Sequence, residues 1–274
     1  MKRLLLITGL LGASLFAAPA ERDSDLDGVA DALDRCPGTA FDMTVDADGC
    51  SSGNGGTGVS LLAGLGMSYA TGKYGGTERV DSLSTDAMAA VYAGDFYLTG
   101  LVSYYHYGTA DPTVADSKDG GLSDTFLGAG YAFGLTDKLF LTPGVHLKLA
   151  TAEEGTGTGE NDWGGSVVGL YRFAALDAFV QYGYTVTGDS STVQYPDIAF
   201  GSAGVTFYPT PASSVSFSYD YSESYIPDSP DLRSLSVLGI FPLYDTLSLK
   251  VNYSLGLSDS ASDHAAGIML FARF

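Results

Sequence analysis

Residues 246–274 read TLSLKVNYSLGLSDSASDHAAGIMLFARF. Leu247, Leu249, Val251, Tyr253, Leu255 and Leu257 are apolar, and Thr246, Ser248, Lys250, Asn252, Ser254, Gly256 and Ser258 alternate with them. After a short Ser/Asp loop the alternation resumes with Ala266, Ile268, Leu270, Ala272 and Phe274, with Arg273 on the opposite parity. A period of two sends one set to each face of a strand. An apolar face on lipid and a polar face on a lumen is the pattern of a transmembrane β-barrel.

Working toward the N-terminus, the same alternation recurs through residue 59. It predicts twelve strands: 59–70, 85–93, 95–108, 122–133, 138–150, 163–173, 176–187, 198–208, 213–222, 234–242, 246–257 and 264–274. Short connections, such as Gly94-Asp95 and Ala174-Ala175, take turns with long ones at 71–84, 109–121, 151–162, 188–197, 223–233 and 258–263. Short periplasmic turns, long outer loops and an even strand number form one consistent topology with both ends in the periplasm. The expected fold is therefore all-β: an antiparallel transmembrane barrel of about twelve strands over 59–274, preceded by a short N-terminal periplasmic module.

Parity assigns the faces. Val215, Phe217, Tyr219 and Tyr221 point outward, and Ser214, Ser216, Ser218, Asp220 and Ser222 inward. The polar groups expected in the lumen are Asp124, His146, Lys148, Arg172, Gln181, Thr185, Asp220, Lys250, Asn252 and Arg273. They are candidates for ion pairing across the wall or for a selectivity lining. In the long loops, Glu153, Glu154, Glu160, Asp162, Asp228 and Asp231 are expected to be solvated or to bridge lipopolysaccharide phosphates through divalent ions.

Lys2 and Arg3, the apolar run Leu4–Phe16 and the small residues Ala18-Pro19-Ala20 match a secretory signal over 1–20. The apolar run is too short for a spanning helix, so the expected location is the bacterial outer membrane. The chain carries a net charge of −19. Without Lys2 and Arg3 this becomes about −21, which excludes nucleic acid as a partner. Cys36 and Cys50 lie close together in an exported chain, so a disulfide is expected. Residues 51–58 (SSGNGGTG) read as a flexible linker.

Residues 21–50 are acidic. From Asp23, carboxylates fall at positions one, three, five, nine and twelve (Asp23, Asp25, Asp27, Asp31, Asp34), with Gly28 at six and the Val29 carbonyl at seven. That spacing gathers enough oxygens for calcium. The stretch DSDLDGVADALDRCPGT…VDADGC resembles a thrombospondin type 3 repeat of the kind found beside barrels in the OmpA-like group. The resemblance implies calcium as a bound ion, held by those five aspartates and Val29, with Asp46 and Asp48 as a second, partial site.

The barrel also carries a resemblance. Gly121-Leu122-Ser123-Asp124-Thr125-Phe126-Leu127-Gly128, then Pro143–Thr151, Gly157–Asp162 and Phe179-Val180-Gln181-Tyr182-Gly183-Tyr184 follow in that order. This succession is similar to the outer-membrane family named for the meta-pathway of phenol degradation, regarded as transporters or channels of small organic compounds. It implies a channel or transporter for small molecules. The alternative is a structural or adhesive barrel whose calcium-bound repeat contacts peptidoglycan or an envelope protein. His106, His146 and His264 lie far apart without a nucleophile or metal spacing, so no enzyme is expected. Outer-membrane lipid and lipopolysaccharide are the remaining expected partners. Phe274 resembles the C-terminal signal read by barrel-assembly machinery.

Overall fold

The computed structural model describes residue 35 and residues 59–74, 79–109, 120–136, 138–152, 159–173, 176–189, 194–210, 213–224, 229–244 and 246–274. Twelve strands are found among them. They are β1 (Val59–Gly72), β2 (Val80–Ala93), β3 (Phe96–Thr109) and β4, which runs in three pieces (Gly121–Leu122, Thr125–Tyr131, Phe133–Gly134). Then come β5 (Leu139–Leu149), β6 (Asp162–Arg172), β7 (Leu176–Val186), β8 (Ile198–Thr210), β9 (Ser213–Ser222), β10 (Leu232–Tyr244), β11 (Leu247–Gly256) and β12 (His264–Arg273).

Each strand pairs antiparallel with its sequence neighbours, and β1 pairs with β12 from Leu62↔Arg273 to Thr71↔His264. The sheet closes on itself, so no edge strand is left to be satisfied, as a lipid environment demands. Next to the seam, Phe274 N donates to Leu61 O at 2.9 Å and Leu61 N to Phe274 O at 3.1 Å. At the same end the β2–β3 hairpin turns through Gly94-Asp95, where the φ of +58° at Gly94 suits the tight turn.

The outer surface is apolar. Leu65, Val145, Val180, Val251 and Ile268 are exposed in a middle band. Phe96, Tyr131, Phe133, Tyr171, Phe207 and Phe241 project at the short-turn end, and Tyr69, Tyr104, Trp163, Tyr184 and Tyr253 at the long-loop end. Two aromatic girdles around an aliphatic band are the exterior of an outer-membrane barrel.

Some expected boundaries move. β2 begins at Val80 rather than 85, because Ser82, Ser84 and Asp86 alternate inward along a strand already paired with β1. β10 extends to Leu232–Tyr244. The expected fourth strand breaks at Ser123-Asp124, whose polar groups bond elsewhere: Ser123 N donates to Ser103 O at 2.8 Å, and Asp124 Oδ1 accepts from Ala152 N at 3.1 Å. The Cys36–Cys50 disulfide is also corrected. The structure shows no cysteine pairing among its described residues, and both cysteines lie outside them. Closure of the barrel rests on the β1–β12 ladder, a non-covalent seam.

Candidate channel lumen

The inward positions are dominated by hydroxyls. Ser60, Ser82, Ser84, Thr99, Ser103, Thr206, Ser214 and Ser222 are buried, and Ser202, Ser216, Ser218, Ser234, Ser236 and Ser254 line one cavity. Several are paired with each other, as in Thr206–Ser216 at 2.8 Å and Ser236–Ser254 at 3.2 Å. A serine wall offers both donors and acceptors without a fixed charge.

Bulky inward rings lie flat over glycines of the neighbouring strand. A Cβ on Gly204 would stand 2.7 Å from Phe179 Cζ, one on Gly64 2.8 Å from Phe271 Cδ1, and one on Gly130 2.6 Å from Tyr97 Cε1. Phe200 lies over Gly183 in the same way. These glycines let the rings rest on the wall.

Lumenal charges cluster at both ends of the bore. At the long-loop end Lys148 Nζ lies 2.5 Å from Asp162 and 3.6 Å from Asp124. The two carboxylates also accept backbone N–H groups, Asp162 from Gly188 at 3.0 Å and Asp124 from Ala152. At the short-turn end Asp177, 0 % exposed, accepts from Tyr208 Oη at 2.7 Å and faces Arg172 Nε at 3.9 Å. Arg172 also stacks on Phe140, its Cζ 4.9 Å from the ring centroid. Between these ends, Asp86 accepts from Ser68 at 2.7 Å and Ser84 at 2.9 Å. Asn252 and Ser68 crowd the same glycine: a Cβ on Gly267 would lie 2.7 Å and 2.9 Å from their oxygens.

The other expected lumen residues are found as follows. His146 Nε2 and Thr185 Oγ1 are 2.8 Å apart, and Gln181 is buried with its Oε1 3.5 Å from Ser202 Oγ. Asp220 is buried and accepts from Ser218 at 3.2 Å. Arg273 pairs in register with Leu62 on β1. Asp162 differs from expectation: it opens β6 and is buried against Lys148 rather than solvated in a loop. Asp86 and Asp177 were not expected as lumenal charges. The alternation of Ser82, Ser84 and Asp86 against Leu83 and Ala87 was the available signal for the first.

The β11–β12 connection folds back over the long-loop mouth. Ser260 and Ala261 are buried, and Ser262 lies 3.2 Å from Tyr74 Oη. Burial pushes the Tyr74 hydroxyl above the ordinary tyrosine range, so it stays protonated as a partner for Ser262. Arg79 and Asp263 clasp the same loop at 2.9 Å. Beneath it lie two cavities, of about 70 and 120 Å³, both continuous with solvent; Lys250, Asn252, Ser262 and Ala265 line both.

His106 and His264 are exposed on the outer wall, and His146 is in the lumen, so the three do not meet. No cluster of metal-ligating side chains occurs among the described residues. The expected calcium ligands Asp23, Asp25, Asp27, Val29, Asp31, Asp34, Asp46 and Asp48 lie outside the described residues.

No family model matches the chain, and no curated protein matches it. Its fold is similar to those of solved outer-membrane proteins. An outer membrane channel from Pseudomonas putida F1 superposes with a TM-score of 0.63 at 12% identity, covering 78% of this chain and 95% of that one. The NanC porin gives 0.54 at 10% identity, covering 77% and 98%. The KdgM porin gives 0.50 at 11% identity, covering 78% and 99%. The shared feature is the fold: an all-β, antiparallel, twelve-stranded barrel of the outer-membrane type.

Proposed function

We propose that the protein is an outer-membrane channel for small molecules, with no enzymatic role. The observation that supports this best is the hydroxyl-lined lumen whose aromatic rings lie over glycines, leaving two solvent-connected cavities beneath a narrowing mouth loop. A closed structural barrel has no need of this, because inward aromatic and aliphatic groups could fill the bore. The proteins it resembles in fold are a channel and porins, which agrees with the reading. Planar-bilayer recordings on the folded full chain test it. Discrete conductance steps are expected, and silent bilayers that contain heat-modifiable, folded protein would overturn it.

The order of motifs over 120–190 favours a small organic compound as solute, as in the family named for phenol degradation. The short-turn end carries both Val59 and Phe274 and is taken as periplasmic. The acidic repeat at 21–50 then stands in the periplasm, where we propose that it binds calcium through Asp23, Asp25, Asp27, Val29, Asp31 and Asp34. Millimolar calcium should protect residues 21–50 from proteolysis, and equal cleavage with calcium and with chelator would refute the site. Envelope partners such as peptidoglycan would be met by this repeat, and lipopolysaccharide by the outer rim.

A further inference from the structure

Lys250 and Asp86 stand in one row of the sheet. Lys250 on β11 pairs with Met269 on β12, Met269 with Gly66 on β1, and Gly66 with Asp86 on β2. Both line the same cavity, and both are more than nine-tenths buried, at 9 % and 8 % exposure. They carry opposite charges. Yet they are not within the 4 Å of an ion pair, and Lys250 has no ion pair or hydrogen bond among the described residues. Asp86 is held by Ser68 and Ser84, which leaves carboxylate lone pairs open. A buried ammonium short of a direct partner is costly.

Lys148, at the long-loop end, makes direct contact with two aspartates. Here the gap is kept open. Glycine at 66 and Met269 bridge it along the wall, Asn252 and Ser103 flank it, Leu101 and Phe126 add an apolar side, and Tyr74 and Ser262 meet above it. A ligand that fills such a gap must carry a carboxylate at one end and an ammonium at the other. It would turn one long attraction into two charge-assisted hydrogen bonds. The mouth disfavours the simpler ligand, a plain anion. Among the described residues at the long-loop end, Asp189, Asp197, Glu223, Asp231, Asp259 and Asp263 outnumber Lys73, Arg79 and Arg233, and an acidic entrance repels free acids while a zwitterion passes at no net cost.

We propose that the lumen holds a binding site for small zwitterions of the α-amino-acid class, the carboxylate on Lys250 and the ammonium on Asp86. The site rests on the channel reading and names its solute class. It is tested on the folded full chain with L-alanine, L-lactate (no ammonium) and isopropylamine (no carboxylate), by equilibrium dialysis and by block of single-channel current. L-Alanine is expected to bind at least about tenfold more tightly than either analogue, a difference of about 1.4 kcal/mol. Lys250→Met and Asp86→Asn should each remove that preference, and Lys250→Arg should keep it, with heat-modifiable migration confirming a folded barrel in each variant. Alanine binding no tighter than lactate and isopropylamine, or unchanged in a folded Lys250→Met barrel, would overturn the site. Conductance without alanine preference removes the site alone, alanine binding in silent bilayers removes the channel alone, and the absence of both removes both.

Discussion

Lys148 is the residue on which the long-loop end of the lumen is most concentrated. Its ammonium contacts Asp162 on β6 and Asp124 beside β4, and all three side chains are nearly buried. Lys148→Met keeps the stem and removes the charge, leaving two buried carboxylates facing each other. Breaking a buried pair from one side costs about 3–5 kcal/mol, so the urea midpoint of the micelle-folded chain should fall clearly. A change below about 0.5 kcal/mol, the usual size for a surface substitution, would show that water replaces the lysine. Parity alone places Lys148 and Asp124 inward, because both sit opposite apolar neighbours in an alternating run. It does not show whom they meet: Asp162 follows a glycine-rich acidic stretch and reads as loop, yet it enters β6 as the nearer partner. Asp177 was hidden for another reason. It lies one residue into β7 after a two-residue turn, where the alternation has only begun.

Four of the outer hairpins share a latch. A tyrosine near the top of the rising strand bonds to a residue at the start of the returning chain: Tyr69 to Asp81 at 3.0 Å, Tyr184 to Asp197 at 2.9 Å, Tyr221 to Asp231 at 2.9 Å, and Tyr253 with His264 at 2.8 Å. The ring occupies the outer girdle while its hydroxyl ties the hairpin at the water boundary. Tyr221→Phe should keep the girdle and lower stability by about 1 kcal/mol, the net worth of one hydrogen bond. Loss of the heat-modifiable band at a lower temperature would report it. A larger loss is expected for Gly164→Ala on β6. Its Cβ would run into Tyr184 O and come 2.5 Å from His146 Nε2, and overpacking of this kind costs about 1–3 kcal/mol. The strands themselves were legible because lipid on one side and water on the other enforce a strict period of two. Their ends were not. The start of β2 is rich in serine and aspartate because it lines the lumen, which makes a paired strand look like a loop. The break in β4 depends on bonds from Ser123 and Asp124 to β3 and the β5–β6 loop, 20 and 28 residues away, and no local pattern carries that.

For the whole molecule the decisive quantity is the placement of charge. The chain carries −19, but the lumen is close to balanced, with Lys148, Arg172, Lys250 and Arg273 set against Asp86, Asp124, Asp162, Asp177 and Asp220. The excess lies at the long-loop rim and in the acidic repeat. A narrow lumen with a balanced wall takes its ion preference from the potential at its entrance, where low-dielectric walls focus the field of Asp189, Asp197, Asp231, Asp259 and Asp263. The proposed channel should therefore be cation-selective. Under a tenfold KCl gradient the reversal potential should carry the sign of potassium permeation. It should also shrink as the mean salt rises from 0.1 M to 1 M, because the screening length falls from about 10 Å to about 3 Å. Replacing Asp259 and Asp263 with asparagine, on the loop that folds over the mouth, should lower the selectivity at low salt and leave the value at 1 M nearly unchanged. A reversal potential of zero, or of the anion sign, would mean that the lumen and not the rim governs permeation. In that case Lys250, whose charge lacks a direct ion pair among the described residues, becomes the group whose replacement should change the sign.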